Sequence, residues 1–159
     1  MSYWTNKVAL VTGGSQGLGL AIARGIVAAG GRVVIAARNE TTLKAAAQSI
    51  STDQDVCGWA SADVTNQEHV DKLLSEVKQR QGQLDFLVNC AGKSDRGLIA
   101  ETSAEKLREL IDLNFLSAVR VTQAALPQLL KSRGHVVQIG SLAAKIASRH
   151  LGAYPASKF

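Results

Sequence analysis

Aromatic side chains are scarce: Phe, Trp and Tyr together make up 4% of the 159 residues, so aliphatic side chains and alanines must fill any core. That composition suits helices packed on a sheet. Cysteine is scarcer still, with Cys57 and Cys90 the only two. They fall on predicted strand segments that are not neighbours, and two isolated cysteines lack metal-ligand spacing. Neither a disulfide framework nor a metal site is expected, and both are read as buried, inert thiols in a reducing, cytoplasmic setting. Long apolar runs are lacking near the start: Val8-Ala9-Leu10-Val11 is far too short to cross a membrane. No run of Lys and Arg interleaves with aromatics either. The net charge of +5 therefore reads as scattered solvated surface, with neither nucleic acid nor membrane expected as a partner.

What is present is an ordinary globular balance, 46% hydrophobic and 19% charged, which excludes a disordered tail and suits one domain over residues 1–159. Strand and helix patterns alternate along it. Apolar runs at Val8–Val11, Arg32–Ala37, Val56–Ala60, Phe86–Val88 and Val136–Ile139 read as buried strands. Between them lie helical patterns. Leu18, Ile22 and Ile26 share one face, Asn39 caps a helix through Leu43 and Ile50, and Val70, Leu73, Leu74 and Val77 share another face. Thr65 with Glu68 and Thr102 with Glu105 have capping-box spacing. The second box opens a long helix through Leu107, Leu110 and Ile111 to about Ser132, ended by Gly134 and kinked at Pro127. Strands apolar on both faces, alternating with helices, imply an α/β fold: a doubly wound parallel sheet, Rossmann-like, of five strands.

The first strand runs directly into Thr12-Gly13-Gly14-Ser15-Gln16-Gly17-Leu18-Gly19, and a helix follows. Glycines let backbone amides approach a pyrophosphate, and the helix N-terminus adds free N–H donors and a positive dipole end. The spacing is G-x-x-x-G-x-G and lacks the Gly-Lys-Ser/Thr of a P-loop, which argues against a nucleoside triphosphatase. Asp63-Val64 follows strand three, and Asn89-Cys90-Ala91-Gly92 follows strand four. Ser141 follows strand five, and Tyr154-Pro-Ala-Ser-Lys158 closes the series. In this order, from Thr12 to Lys158, the motifs resemble those of the short-chain dehydrogenase/reductase family, with cysteine standing second in its Asn-Asn-Ala-Gly motif.

The resemblance implies a nicotinamide dinucleotide held by Gly13, Ser15, Gln16, Gly17, Leu18 and Gly19, with Asp63 accepting from the adenine amino group. Val64, Asn89, Ala91 and Gly92 complete that site. After the second strand, Ala37 stands where an acid would hold a ribose 2′-hydroxyl, and Arg38 follows. A carboxylate repels a 2′-phosphate whereas an arginine bonds it, so NADP(H) is favoured over NAD(H), although Gln16 stands where many NADP-preferring relatives carry a base. Tyr154 and Lys158 lie one helical turn apart, where the ammonium favours the phenolate. By resemblance, Tyr154 is the acid/base, Lys158 tunes it and holds the nicotinamide ribose, and Ser141 bonds the substrate oxygen. Asn114 holds a water that links Lys158 to solvent. The bland readings are a cap for Ser141, a solvated helix residue for Asn114, and exposed surface for Arg38 and the Tyr/Lys pair. His69, His135 and His150 receive no role.

The family continues beyond such a fifth strand with further strands, the substrate loop and much of a homo-oligomer interface, so this chain is expected to be C-terminally incomplete. Two functions follow as expectations. One is an NADP(H)-dependent oxidoreductase interconverting a carbonyl and an alcohol by hydride transfer. The other is a catalytically inactive dinucleotide-binding fragment or interaction module. Acyl thioesters, steroids, sugars and small ketones all stay open as substrates; Lys93 to Ile99 either border the pocket or, at Lys93, Asp95 and Arg96, carry solvated loop charges.

Overall fold

The computed structural model describes residues 2–146 and 150–158. Its centre is a five-stranded parallel sheet: β1 (Val8–Thr12), β2 (Arg32–Ala37), β3 (Cys57–Ser61), β4 (Phe86–Asn89) and β5 (His135–Gln138), in the order β3-β2-β1-β4-β5. Six α-helices accompany it among the described residues: α1 (Gly17–Ala28), α2 (Glu40–Ile50), α3 (Gln67–Gln81), α4 (Ala104–Ile111), α5 (Ser117–Ser132) and α6 (Tyr154–Lys158). The parallel order is the one expected of a doubly wound sheet.

The alternation of side chains along each strand explains the unbroken apolar runs. Leu10, Val34 and Leu87 point to one face, where Val70, Leu73 and Val77 of α3 and Val121, Ala125 and Leu129 of α5 cover them. Ala9, Val11, Val33, Ile35 and Val88 point to the other, under Ala23 and Ile26 of α1 and Leu43 and Ala47 of α2. A strand sandwiched this way has no solvent face and needs no polar alternation. β5 differs: all four of its residues are exposed, and no described strand pairs with its outer edge.

Several boundaries depart from expectation. Strand β5 starts one residue earlier than expected, at His135. In α1 the packed face is Gly19, Ala23 and Ile26, while Leu18 is 56% exposed at the mouth of the glycine turn. Both capping boxes are displaced by one residue. Asn66 caps α3 by accepting from His69 N–H, because the Thr65 hydroxyl donates instead to Asp63 Oδ1 at 2.7 Å. Ser103 caps α4 by accepting from Lys106 N–H, because the Thr102 hydroxyl donates to the Leu98 carbonyl. Asn39 caps α2 as its side chain predicts, accepting from Thr42 N–H at 2.9 Å.

The long helix is interrupted at a place that proline did not signal. A π-helical turn at Asp112–Leu116 separates α4 from α5, while α5 runs through Pro127 to Ser132. A π-turn holds an extra residue and so rotates the side chains that follow it. Asn114 turns inward to 3% exposure while Phe115 beside it is 55% exposed. Arg133 then closes α5 in the left-handed region at φ 53°, and Gly134 N–H returns to the Leu129 carbonyl at 2.7 Å.

Candidate active site

β1 delivers the chain to Gly13, whose φ of 68° lies in the region that favours glycine. A Cβ there would also stand 2.9 Å from the Ala91 N and Cα atoms, so only glycine lets the turns after β1 and β4 meet. Gly19 is equally constrained, because a Cβ would run into the Gly13 carbonyl. Thr12 locks the two turns together. It is 2% exposed, and its Oγ1 accepts from the N–H groups of Cys90 and Ala91, each at 3.1 Å. Asn89 lies beneath the cleft: its side-chain amide donates to Thr122 Oγ1 at 2.9 Å and anchors the end of β4 to α5.

The turns border a cleft of two adjoining lobes that share five lining residues. The outer lobe, about 410 Å³, is walled by Gly13, Ser15, Gln16, Arg38, Asp63, Val64, Ala91 and Gly92. Asn39 and Thr42, at the start of α2, also line it. Burial alone would push the Asp63 carboxyl up, but the Thr65 N–H and hydroxyl and the charges of Arg38 and His69 hold it below the usual carboxylate value. His69, to which the sequence assigned nothing, orients this acid's backbone: its Nδ1 accepts from Asp63 N–H at 3.3 Å.

The inner lobe, about 330 Å³, shares Gly13, Ser15, Gln16, Gly92 and Lys93 with the outer one and continues along Gly17, Leu18 and Gly19 to Cys90, Tyr154 and Lys158. Tyr154 and Lys158 open and close α6, so both reach this lobe from one turn of helix. Lys158 Nζ donates to the Ile139 carbonyl at 3.0 Å, and its charge opposes the burial that pushes the Cys90 thiol up. Cys57, in β3, is fully buried and its thiol is pushed up to about 11 by desolvation. Neither cysteine is in a disulfide, but only Cys57 is buried as expected: Cys90 is half-buried and lines the inner lobe.

Ser141 is found in the capping role of its bland reading, and Asn114 in a role that neither of its readings foresaw. Ser141 Oγ accepts from Ala143 N–H at 3.1 Å and caps a short helical turn at Leu142–Ala144, and it does not line the inner lobe. Asn114, buried rather than solvated, brackets the Lys93 backbone: its Oδ1 accepts from Lys93 N–H at 2.8 Å and its Nδ2 donates to the Lys93 carbonyl at 3.0 Å. The Lys93 side chain pairs with Glu109 of α4 at 2.7 Å. Thr12, Cys90 and Asn39, and Ser157 through Asn114, contribute to the site without having been assigned a part in it. For Thr12 and Ser157 the signal was their place inside the glycine and Tyr–Lys motifs.

A glycine cradle at the C-terminal ends of β1 and β4, opening onto a helix N-terminus, fits the diphosphate of a dinucleotide. The lobe beyond it presents a base, Arg38, and an acid, Asp63. Fold and cleft thus define a dinucleotide-binding α/β domain with a Tyr/Lys pair at its inner end. The chain belongs to the short chain dehydrogenase family, whose model matches residues 7–159 and whose members use NAD(P).

An uncharacterized oxidoreductase of Staphylococcus epidermidis is 37% identical over 153 residues, which are 96% of this chain and 65% of that protein. The L-fucose dehydrogenase of Mus musculus is 38% identical over 156 residues, 98% of this chain and 56% of the relative. A solved short-chain type dehydrogenase/reductase from Mycobacterium ulcerans superposes with a TM-score of 0.91 at 32% identity, covering 99% of this chain and 59% of its own. This chain thus spans little more than half to two thirds of the length of these relatives. Among the described residues, no helix is long and apolar enough to cross a membrane, and no cluster of three His, Cys, Asp or Glu side chains suits a metal.

Proposed function

We propose that this chain carries the cofactor site and acid/base pair of an NADP(H)-dependent oxidoreductase that interconverts a carbonyl and an alcohol. The observation that carries the reading is the single cleft that joins the glycine turn at one end to Tyr154 and Lys158 at the other. NADP(H), when bound, supplies the hydride donor or acceptor.

The chain's own residues do the rest. Backbone amides of the Gly13–Gly19 turn and the N-terminus of α1 hold the diphosphate. Arg38 makes charge-assisted bonds to the 2′-phosphate, and no acid at Ala37 opposes it. Asp63 accepts from the adenine amino group, and Val64, Ala91 and Gly92 wall the adenosine. At the inner end, Tyr154 gives its proton to the carbonyl oxygen during reduction and recovers it from the hydroxyl during oxidation. Lys158, one helical turn away, lines the same lobe and holds the nicotinamide ribose. The Ser141 hydroxyl, while accepting from Ala143, donates to the substrate oxygen, and Asn114 holds the water through which Lys158 exchanges protons. Outside the cleft, Phe115, Val119 and Leu130 are exposed apolar side chains that suit a homo-oligomer in the cytoplasm.

A second reading, a dinucleotide-binding module without turnover, draws on the exposed apolar strand β5, where Val136 and Val137 are 44% and 41% exposed. Carbonyl-dependent oxidation of NADPH separates the two. The panel runs in both directions and includes L-fucose, because one relative bears that substrate's name. Turnover supports the reductase, and NADPH binding without turnover on any member supports the module. Arg38→Ser is expected to raise the KM for NADPH at least about tenfold and leave that for NADH within about twofold, as loss of a charge-assisted phosphate contact implies. An equal effect on both cofactors would refute the NADP assignment.

A further inference from the structure

Ser94 and Tyr154 both line the inner lobe, one in the loop after β4 and the other at the start of α6. Beyond Ser94 and just ahead of Tyr154, the two segments meet. Gly97 N–H donates to the His150 carbonyl at 3.1 Å, and Gly97 and Leu151 form a one-residue parallel bridge. Tyr154 N–H in turn donates to the Leu151 carbonyl at 3.0 Å. The bridged residue is therefore the one on which the first amide of α6 rests.

The meeting requires glycine on both sides. Gly97 has a φ of 151° and Gly152 a φ of 51°, conformations that a residue with a Cβ rarely adopts. Gly152 is also closed in, since a Cβ there would stand 3.1 Å from Thr102 Oγ1 and 3.2 Å from Asp95 Oδ2. Asp95 and Thr102 lie on either side of Gly97 in the segment between β4 and α4. Thr102 is held in place, because its hydroxyl donates to the Leu98 carbonyl at 3.1 Å. Around Gly97 the space is open, so there the backbone conformation alone asks for glycine. Ala153, between Gly152 and Tyr154, is 1% exposed, and its burial fixes the entry to α6 by packing as well.

We propose that Gly97 and Gly152 are positioning residues: the joint they form ties the loop after β4 to the entry of α6, and so fixes where Tyr154 stands in the inner lobe relative to Ser94. Neither glycine touches a reacting atom. The catalytic consequence rests on the reductase reading, whereas the joint itself does not.

Hydrogen exchange of the purified protein, read by mass spectrometry on peptides covering 94–102 and 150–158, tests the joint without turnover. In Gly152→Ala both segments are expected to exchange at least about tenfold faster than in the wild type, while the peptide around Gly13 stays unchanged. Gly97→Ala should quicken the same two segments, although the substitution lies in only one of them. Gly152→Asn should quicken them less, because asparagine enters the left-handed region at lower cost. Should Gly152→Ala fail to fold, Gly97→Ala and Gly152→Asn carry the test. Exchange that quickens only in the substituted segment, or equally across the whole chain, would overturn the proposal.

In carbonyl-dependent NADPH oxidation, kcat of Gly97→Ala should fall about tenfold while NADPH affinity, by fluorescence titration, stays within about twofold, as a misplaced acid/base implies. Loss of affinity in step with kcat would mark a merely structural role and would also overturn it. Absence of turnover in the wild type would instead sink the reductase reading, and the exchange rates would still decide the joint.

Discussion

Thr12→Val is nearly isosteric, yet it removes the acceptor that holds the turn after β4 against the turn after β1. Two backbone N–H groups, of Cys90 and Ala91, lose a partner now 3.1 Å away. Leaving a buried donor unpaired costs about 1–3 kcal/mol. Cys90 and Ala91 are only half-buried, so water reaches part of this site and the low end applies to each. The expected loss is about 2 kcal/mol in all. With a urea slope of about 2 kcal/mol/M, the unfolding midpoint should fall by about 1 M at unchanged slope. Thr12→Ser keeps the hydroxyl and gives up one methyl, about 1 kcal/mol. Urea unfolding followed by circular dichroism gives all three midpoints. NADPH affinity should fall further in the valine variant than in the serine variant, because Gly13 and Ala91 form the floor of the cleft. A valine variant as stable as the wild type, or more stable than the serine variant, would refute the assignment of this hydroxyl as the clasp between the two turns.

Two further outcomes follow from the titrating groups. The folded Asp63 carboxyl sits below its ordinary value of 3.8, so its contribution to stability is complete above that pH and drains away as the pH falls through the lower folded value. Asp63→Asn should therefore flatten the acid limb of an unfolding-midpoint profile below pH 3.8, and an unchanged limb would contradict the Thr65 and Arg38 interactions. Cys57 behaves in the opposite sense: its thiol is raised from 9.0 to about 11, so the stability it contributes is present below pH 9.0 and is lost as the pH rises through about 11. In the native protein near neutrality a maleimide should modify Cys90 and spare Cys57, and NADPH should slow that reaction because Cys90 lines the inner lobe. Equal labelling of both thiols, as read by peptide mass mapping, would place Cys57 nearer the surface than the fold allows.

The sheet was legible because each of its three inner strands, β2, β1 and β4, is buried on both faces, which writes an unbroken apolar run into the sequence. The cleft was legible because its chemistry is concentrated at the strand ends: glycines after β1, Arg38 after β2, Asp63 after β3. Finer choices were not. Thr65-Asn66 and Thr102-Ser103 each place two good cap formers side by side, and the winner is decided by which hydroxyl a neighbouring carboxylate or carbonyl claims. The π-turn left no mark, since Leu107, Leu110 and Ile111 keep ordinary helical spacing up to its edge. Asn89 illustrates a further limit. Its motif places it beside the cofactor, but whether a strand's last side chain faces the cleft or the helix beneath depends on the pleat, and here it bonds Thr122.

The central claim, that one cleft joins a dinucleotide site to a Tyr154 acid/base, is tested most directly by Tyr154→Phe, with NADPH affinity measured by fluorescence titration beside carbonyl-dependent NADPH oxidation. The account predicts an affinity within about twofold of the wild type and a kcat lower by about 10²–10⁴, the span typical of a lost general acid. A phenylalanine variant that turns over at the wild-type rate, or that loses NADPH affinity in proportion to its activity, would contradict it.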